Sequence, residues 1–168
     1  MTSKSDFTAD EWTRLKRAPF VAGMAISLAD PGGPIEAFKE TKATLGTVTA
    51  AIGGDRGPLV QELAREVAEE ARQRHNPLSG FKPTSGATAG VEILDELTAA
   101  NAVVAAKASP EDAAAFRDWL LAAAQGAADA AKEGGFLGFH AERVSAGEQQ
   151  MLDRLREALG GPQAASAG

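Results

Sequence analysis

Side chains that exchange protons near neutral pH are scarce in this chain. Among 168 residues there are two histidines, His75 and His140, and neither cysteine nor tyrosine. For either imidazole to act as a general base, a carboxylate such as Glu36 or Glu142 must meet it in a cleft that shifts its pKa. A ferritin-like di-iron site needs Glu three residues before His on an inward helix face. Those positions hold Arg72 and Leu137, which excludes it. No serine stands in a tight strand-to-helix turn of the nucleophile-elbow kind. Gly53, Gly54 and Gly57 precede a helical stretch, but they lack the lysine and the preceding strand of a phosphate-binding loop, so they read as a helix–helix turn. Glu62, Glu66, Glu69 and Glu70 have the spacing to converge on a divalent cation. Arg65, Arg72 and Arg74 interleave with them, and the expectation is instead a solvated helix face laced with ion pairs. No catalytic residue, metal ligand or cofactor site is assigned on this basis.

The most individual stretch is 134–140. Phe136, Leu137 and Phe139 stand among Gly134, Gly135 and Gly138, with His140 next. So apolar a loop either docks a protein partner, an apolar ligand or a membrane surface, or folds back as a plug over the end of the fold. The plug is the expectation; Phe136, Leu137, Phe139 and His140 are the candidate interaction loop if the docking reading holds. Asn101 falls on the apolar stripe of Leu94, Leu97 and Val104 and is the candidate buried polar group, fixing helix register instead of binding anything. Thr41, Thr44 and Thr47 form a hydroxyl stripe that either lines a polar pocket or packs against backbone at a small-residue contact, the second being expected. Trp12, Trp119, Phe20 and Phe116 read as core anchors in phase with their helices.

The elements that position these residues are punctuated by glycine and proline. Thr8 and Glu11 form a capping box, with Phe7 and Trp12 as a hydrophobic staple, and start a helix that runs to Ala29 with a kink at Pro19. Asp30, Pro31, Gly32 and Gly33 stop it. A second helix opens at Pro34 and continues to about Ile52, with Ile35, Phe38, Leu45, Val48 and Ile52 inward. A third begins at Pro58 with Leu59, Leu63, Val67 and Ala71 inward and ends near His75, beside Asn76 and Pro77. A fourth spans roughly Thr88 to Lys107. Ser109, Pro110 and Asp112 announce a fifth, with Phe116, Trp119, Leu120, Ala123 and Ala127 inward. Ser145 and Glu148 cap a sixth, carrying Leu152, Leu155 and Leu159. The fold expected is all-α: a compact antiparallel bundle of about six helices in one domain, 1–160, followed by a flexible tail, 161–168. Val21 to Glu40 can be laid over Ala123 to Glu142 without gaps, a faint sign of a pseudo-twofold pair of helical hairpins.

Composition narrows the function classes. Apolar residues make up 44% of the chain, 36 of them alanine, and the net charge is -6. Alanine richness with few β-branched residues excludes a β-sandwich, and the missing cysteines exclude a disulfide scaffold. The scattered basic residues argue against nucleic acid as a partner. Ala18 to Ala29, the longest uncharged apolar stretch, is too short and too interrupted for the roughly 20 residues that cross a bilayer. With no secretory signal at the N-terminus, a bacterial cytoplasmic protein is expected.

At the sixth helix, Val144, Ser145, Glu148, Leu152, Leu155, Leu159 and Gly160 resemble one hairpin of the TerB-like (tellurite-resistance) helical family. The resemblance implies an all-α fold and acidic loop residues able to touch a metal ion. Glu142 and Arg143 stand where that family has an Asp-Gly pair, so no metal ligand is carried over. Glu133 to Phe139 with Val144 to Glu148 also resembles a stretch of bacterial all-helical proteins, a likeness that brings no activity with it. The leading expectation is a non-enzymatic module acting by protein–protein interaction or self-association. The alternatives are a carrier or sensor of an apolar small ligand held between helices, and an enzyme using His140 or His75.

Overall fold

Three of the described helices begin where a side chain satisfies their first amides. The computed structural model describes residues 2–29, 34–84, 88–133 and 145–160, the side chains of 34–40 and 132–133 excepted. Helix α1 (Ala9–Ala29) opens on the reciprocal box: the Thr8 amide donates to Glu11 Oε2 at 2.7 Å, and the Glu11 amide to Thr8 Oγ1 at 3.2 Å. The Phe7 and Trp12 rings close the staple 5.6 Å apart. Helix α6 (Ala146–Gly160) starts the same way, on Ser145 and Glu148 at 2.8 and 3.2 Å. At the start of α5 (Pro110–Glu133), Ser109 Oγ accepts the Asp112 amide at 3.1 Å. Helices α2 (Pro34–Ala50), α3 (Gly57–Arg72) and α4 (Ala89–Lys107) complete the set, and a 3-10 turn (Lys4–Asp6) precedes α1.

As expected, α1 runs through Pro19 to Ala29, with Pro19 buried. One expectation is corrected. Helix α2 stops at Ala50, short of Ile52. Its chain tightens into one-residue-shorter hydrogen bonds, Ala51 to Val48 O and Ile52 to Thr49 O, before Gly53 turns at φ 85. That tightening rotates Ile52 off the inward face, and it is 38% exposed.

The described helices form an all-α bundle around one core, with no strand among the described residues. Helices α1 and α5 each touch all the others. Phe116, Trp119 and Leu120 of α5 and Leu15 and Ile26 of α1 have no exposed surface, and Leu59, Leu63, Ile93, Leu97 and Leu155 close the core from the remaining helices. Each such side chain contributes about 1.5–3 kcal/mol relative to exposure. The α1–α5 contact is built from alanine: Ala18, Ala22 and Ala25 face inward on one helix, Ala123, Ala124, Ala127 and Ala128 on the other, all fully buried. Small side chains at a crossing let helix axes come close.

Helix α2 uses glycine for the same purpose. A Cβ on Gly23 of α1 would lie 2.6 Å from Thr44 Oγ1, and one on Gly126 of α5 would lie 2.6 Å from Thr47 Oγ1. Thr44 and Thr47 therefore sit in glycine seats on the two central helices. The expected overlay of Val21–Glu40 on Ala123–Glu142 runs through residues 30–33 and 134–142, which lie outside the described residues. No described helix is long and apolar enough to cross a membrane.

Candidate functional site: a cleft between α1, α2 and α3

Around Phe20 the helices part. Between α1, α2, α3 and the connection that follows α3 lies a cleft of about 470 Å³. Its floor is apolar, formed by Phe20, Leu45, Val67, Ala71 and Pro77. Thr13, Lys16 and Arg17 line it from α1, Thr41 from α2, Glu70 from α3, and His75, Asn76 and Ser79 from the connection. A side recess of about 160 Å³ shares Phe20, Thr41 and Pro77 and continues past Gly23 to Met24 and Leu78.

The wall after α3 owes its course to a tight helix ending. The Arg74 amide bonds to Ala71 O at 3.1 Å and the His75 amide to Glu70 O at 3.0 Å, with Arg74 itself at φ 59. This is the doubly bonded left-handed terminus that glycine ordinarily occupies. It sends residues 75–81 back across the mouth of the cleft. Asn76 Oδ1 then accepts the Leu78 amide at 3.0 Å, and Ser79 and Phe81 close two further turns at 3.1 and 2.9 Å. Gly80 is at φ 79 directly over Arg17, whose Nη1 would be 3.0 Å from a Cβ there.

Charged groups frame the opening in two sets. Lys16 Nζ is hydrogen-bonded to Glu70 Oε1 and lies 3.7 Å from Glu66 Oε2. Glu66 also receives Lys4 Nζ at 2.6 Å and Trp12 Nε1 at 3.0 Å. Partial burial pushes the Glu66 carboxyl up, but those two donors, with the charges of Lys4 and Lys16, more than reverse it and leave it below its ordinary value. On the other side Glu96 Oε1 accepts from Arg17 Nη2 at 2.6 Å, Arg17 Nε at 2.9 Å and Arg14 Nε at 3.1 Å. Arg17 Nη1 reaches on to Ser79 O at 3.3 Å, and its guanidinium lies 5.8 Å from the Phe81 ring centre. The outer end of the connection is fixed by Thr84, whose hydroxyl and amide hold the Glu92 carboxyl below its ordinary value.

The glutamates of α3 are thus not simply a solvated face. Glu62 accepts the Lys4 amide at 3.2 Å, and Glu66 and Glu70 bind α1; Glu69, paired with Arg72 at 3.0 Å, is the one that fits the expected pattern. Among the described residues no group of three or more His, Asp or Glu side chains is placed to hold a metal ion. Of the histidines, His75 is exposed on the cleft rim, just beyond α3, and no described carboxylate is hydrogen-bonded to its ring. His140, with Phe136, Leu137 and Phe139, lies outside the described residues, as do Glu142 and the Glu36 side chain. Asn101 is buried, and its Nδ2 donates to Leu159 O at 3.2 Å. Among the described residues its Oδ1 and Trp119 Nε1 are buried without a hydrogen-bond partner. The threonine stripe divides: Thr41 lines the cleft while Thr44 and Thr47 pack against glycine.

Sequence reasoning missed Lys16, Arg17 and Glu70 as cleft residues. The usable signal was pairing at matched spacing: Lys16, Arg17 and Phe20 occupy adjoining turns of α1, and Glu66 and Glu70 repeat that interval on α3. The residues of the family resemblance have structural work here, since Ser145 and Glu148 cap α6 and its three leucines are buried. No protein family, no curated protein and no solved structure matches the chain.

Proposed function

We propose that this chain is a non-enzymatic binding module that holds a small, partly apolar molecule in the cleft between α1, α2 and α3, as a carrier or a sensor. The supporting observation is the cleft itself: about 470 Å³ with an apolar floor and convergent polar groups at the rim. Small-molecule sites commonly occupy about 300–1,000 Å³ and share that division between an apolar body and a few orienting polar groups. The protein-partner reading has less to stand on. Among the described residues the exposed large apolar side chains are Leu28, Ile52 and Val91, on three separate segments, and scattered residues of this kind are ordinary surface. The enzyme reading has His75 at the rim but no described carboxylate hydrogen-bonded to it.

Native mass spectrometry of protein purified from its host tests the proposal. A copurifying mass that is retained by the wild type and lost from an Ala71→Leu variant, in which the floor is filled, is the expected result. A wild type that carries no small molecule and whose cleft amides respond to none of a broad fragment library in solution NMR would overturn it.

A further inference from the structure

Among the described residues the charge around the cleft is not balanced, and the imbalance has a sign. The chain as a whole is acidic, at -6. The cleft lining nevertheless carries two cations, Lys16 and Arg17, against one carboxylate, Glu70. Lys16 is compensated by Glu70 and by Glu66. Among the described residues Arg17 is not: it shares a single carboxylate oxygen, Glu96 Oε1, with Arg14, so two guanidiniums face one negative charge. Arg17 is also largely withdrawn from solvent, its side chain 12% exposed, so water screens the excess poorly. Of the five N–H donors of a guanidinium, three are engaged here, by Glu96 twice and by Ser79 O, which leaves two. A planar donor group with spare N–H bonds and unneutralised charge favours a carboxylate over a neutral or cationic head.

Apolar surface continues from that point along the floor of the cleft. Phe20 and Leu45 lead inward from Arg17 toward Met24 and Leu78 in the recess. We infer that the ligand of the cleft is a small organic monocarboxylate with an apolar body, its carboxylate held by Arg17 beside Ser79 and its body laid along Phe20 toward the recess. This inference rests on the cleft-binding reading above and specifies what that site selects.

Titration of the full chain, followed by amide NMR, with 4-phenylbutyrate, 4-phenylbutan-1-ol and 4-phenylbutylamine compares three head groups on one apolar body. The acid is expected to shift amides in residues 15–20 and 75–79 and to bind about tenfold more tightly than the alcohol, with the amine weakest. Arg17→Gln is expected to bring the acid down to the affinity that the same variant shows for the alcohol. Should that variant fail to fold, Arg14→Gln serves: Glu96 then neutralises Arg17 alone, and the preference for the acid shrinks while Arg17 stays in place. Ala71→Leu is expected to weaken all three probes together, which locates them in the cleft. Equal binding of acid, alcohol and amine at the cleft would overturn the anion inference and leave the binding site standing. A preference for the acid that survives both arginine variants would overturn it too. No response of cleft amides to any probe would remove both readings.

Discussion

Two turns of one helix behave in opposite ways. At Gly23 of α1 there is no side chain, Thr44 fits against the backbone, and α2 comes close enough to leave only the narrow side recess. One turn earlier Phe20, with Lys16 and Arg17 before it, borders a cleft between α1, α2 and α3. The lesson is that side-chain size, graded along a single helix, sets whether its neighbours meet or stand apart. Closed contacts derive their strength from complementarity, so added volume there is penalised. The open end is held by ion pairs at its margins, which tolerate added volume but respond to pH.

That contrast can be broken directly by placing the same side chain in both regions. Gly23→Leu should lower stability by about 3 kcal/mol, because Thr44 is β-branched and buried and cannot move aside. Ala71→Leu, facing the cleft, should stay within about 0.5 kcal/mol of the wild type. Urea denaturation of the two variants decides, and comparable losses would end the distinction between a closed and an open end.

The next effect sharpens the electrostatic half. Glu66 has its carboxyl held below its ordinary value in the folded state. Its contribution to stability is therefore present above the unfolded pKa and is lost as pH falls through the lower, folded one. Glu66→Gln should cost about 1 kcal/mol at neutral pH. The gap between variant and wild type should narrow on acidification from about pH 7 to about pH 3, as protonation does to the wild type what the substitution does to the variant. A gap independent of pH would show that packing, not charge, secures α3 to α1.

The smallest effect has the opposite sign. Gly46 lies inside α2 with nothing within 4 Å of where a Cβ would be, unlike Gly23 and Gly126. Gly46→Ala should raise stability by about 0.5–1 kcal/mol through helix propensity alone. A loss measured in the same denaturation series would mean that α2 packs more tightly along that face than its surroundings suggest.

Local chemistry made the helices legible and left the cleft obscure. Thr8 with Glu11 and Ser145 with Glu148 announce helix starts because both partners of each box lie within four residues. Leu59, Leu63 and Val67 declare an inward face by their period alone. The cleft has no such compact signature. Its lining comes from three helices and a connection, and the Arg17 contacts with Ser79 and Glu96 span more than sixty residues of chain. Ile52 misled for a related reason: it keeps the helical period, but Gly53 at positive φ ended the helix first. Thr41, Thr44 and Thr47 share one stripe in the letters and two environments in the fold, since only the partner helix decides what a hydroxyl meets.

Helix α6 turns Leu152, Leu155 and Leu159 toward the core, and at its start Gly147 lies so close to α1 that a Cβ there would be 2.8 Å from the Ala29 carbonyl oxygen. The amide of Asn101 adds a polar tie at the far end. Reaching the carbonyl of Leu159 from α4, it donates a directional hydrogen bond whose geometry is met only near the observed longitudinal setting of the final helix.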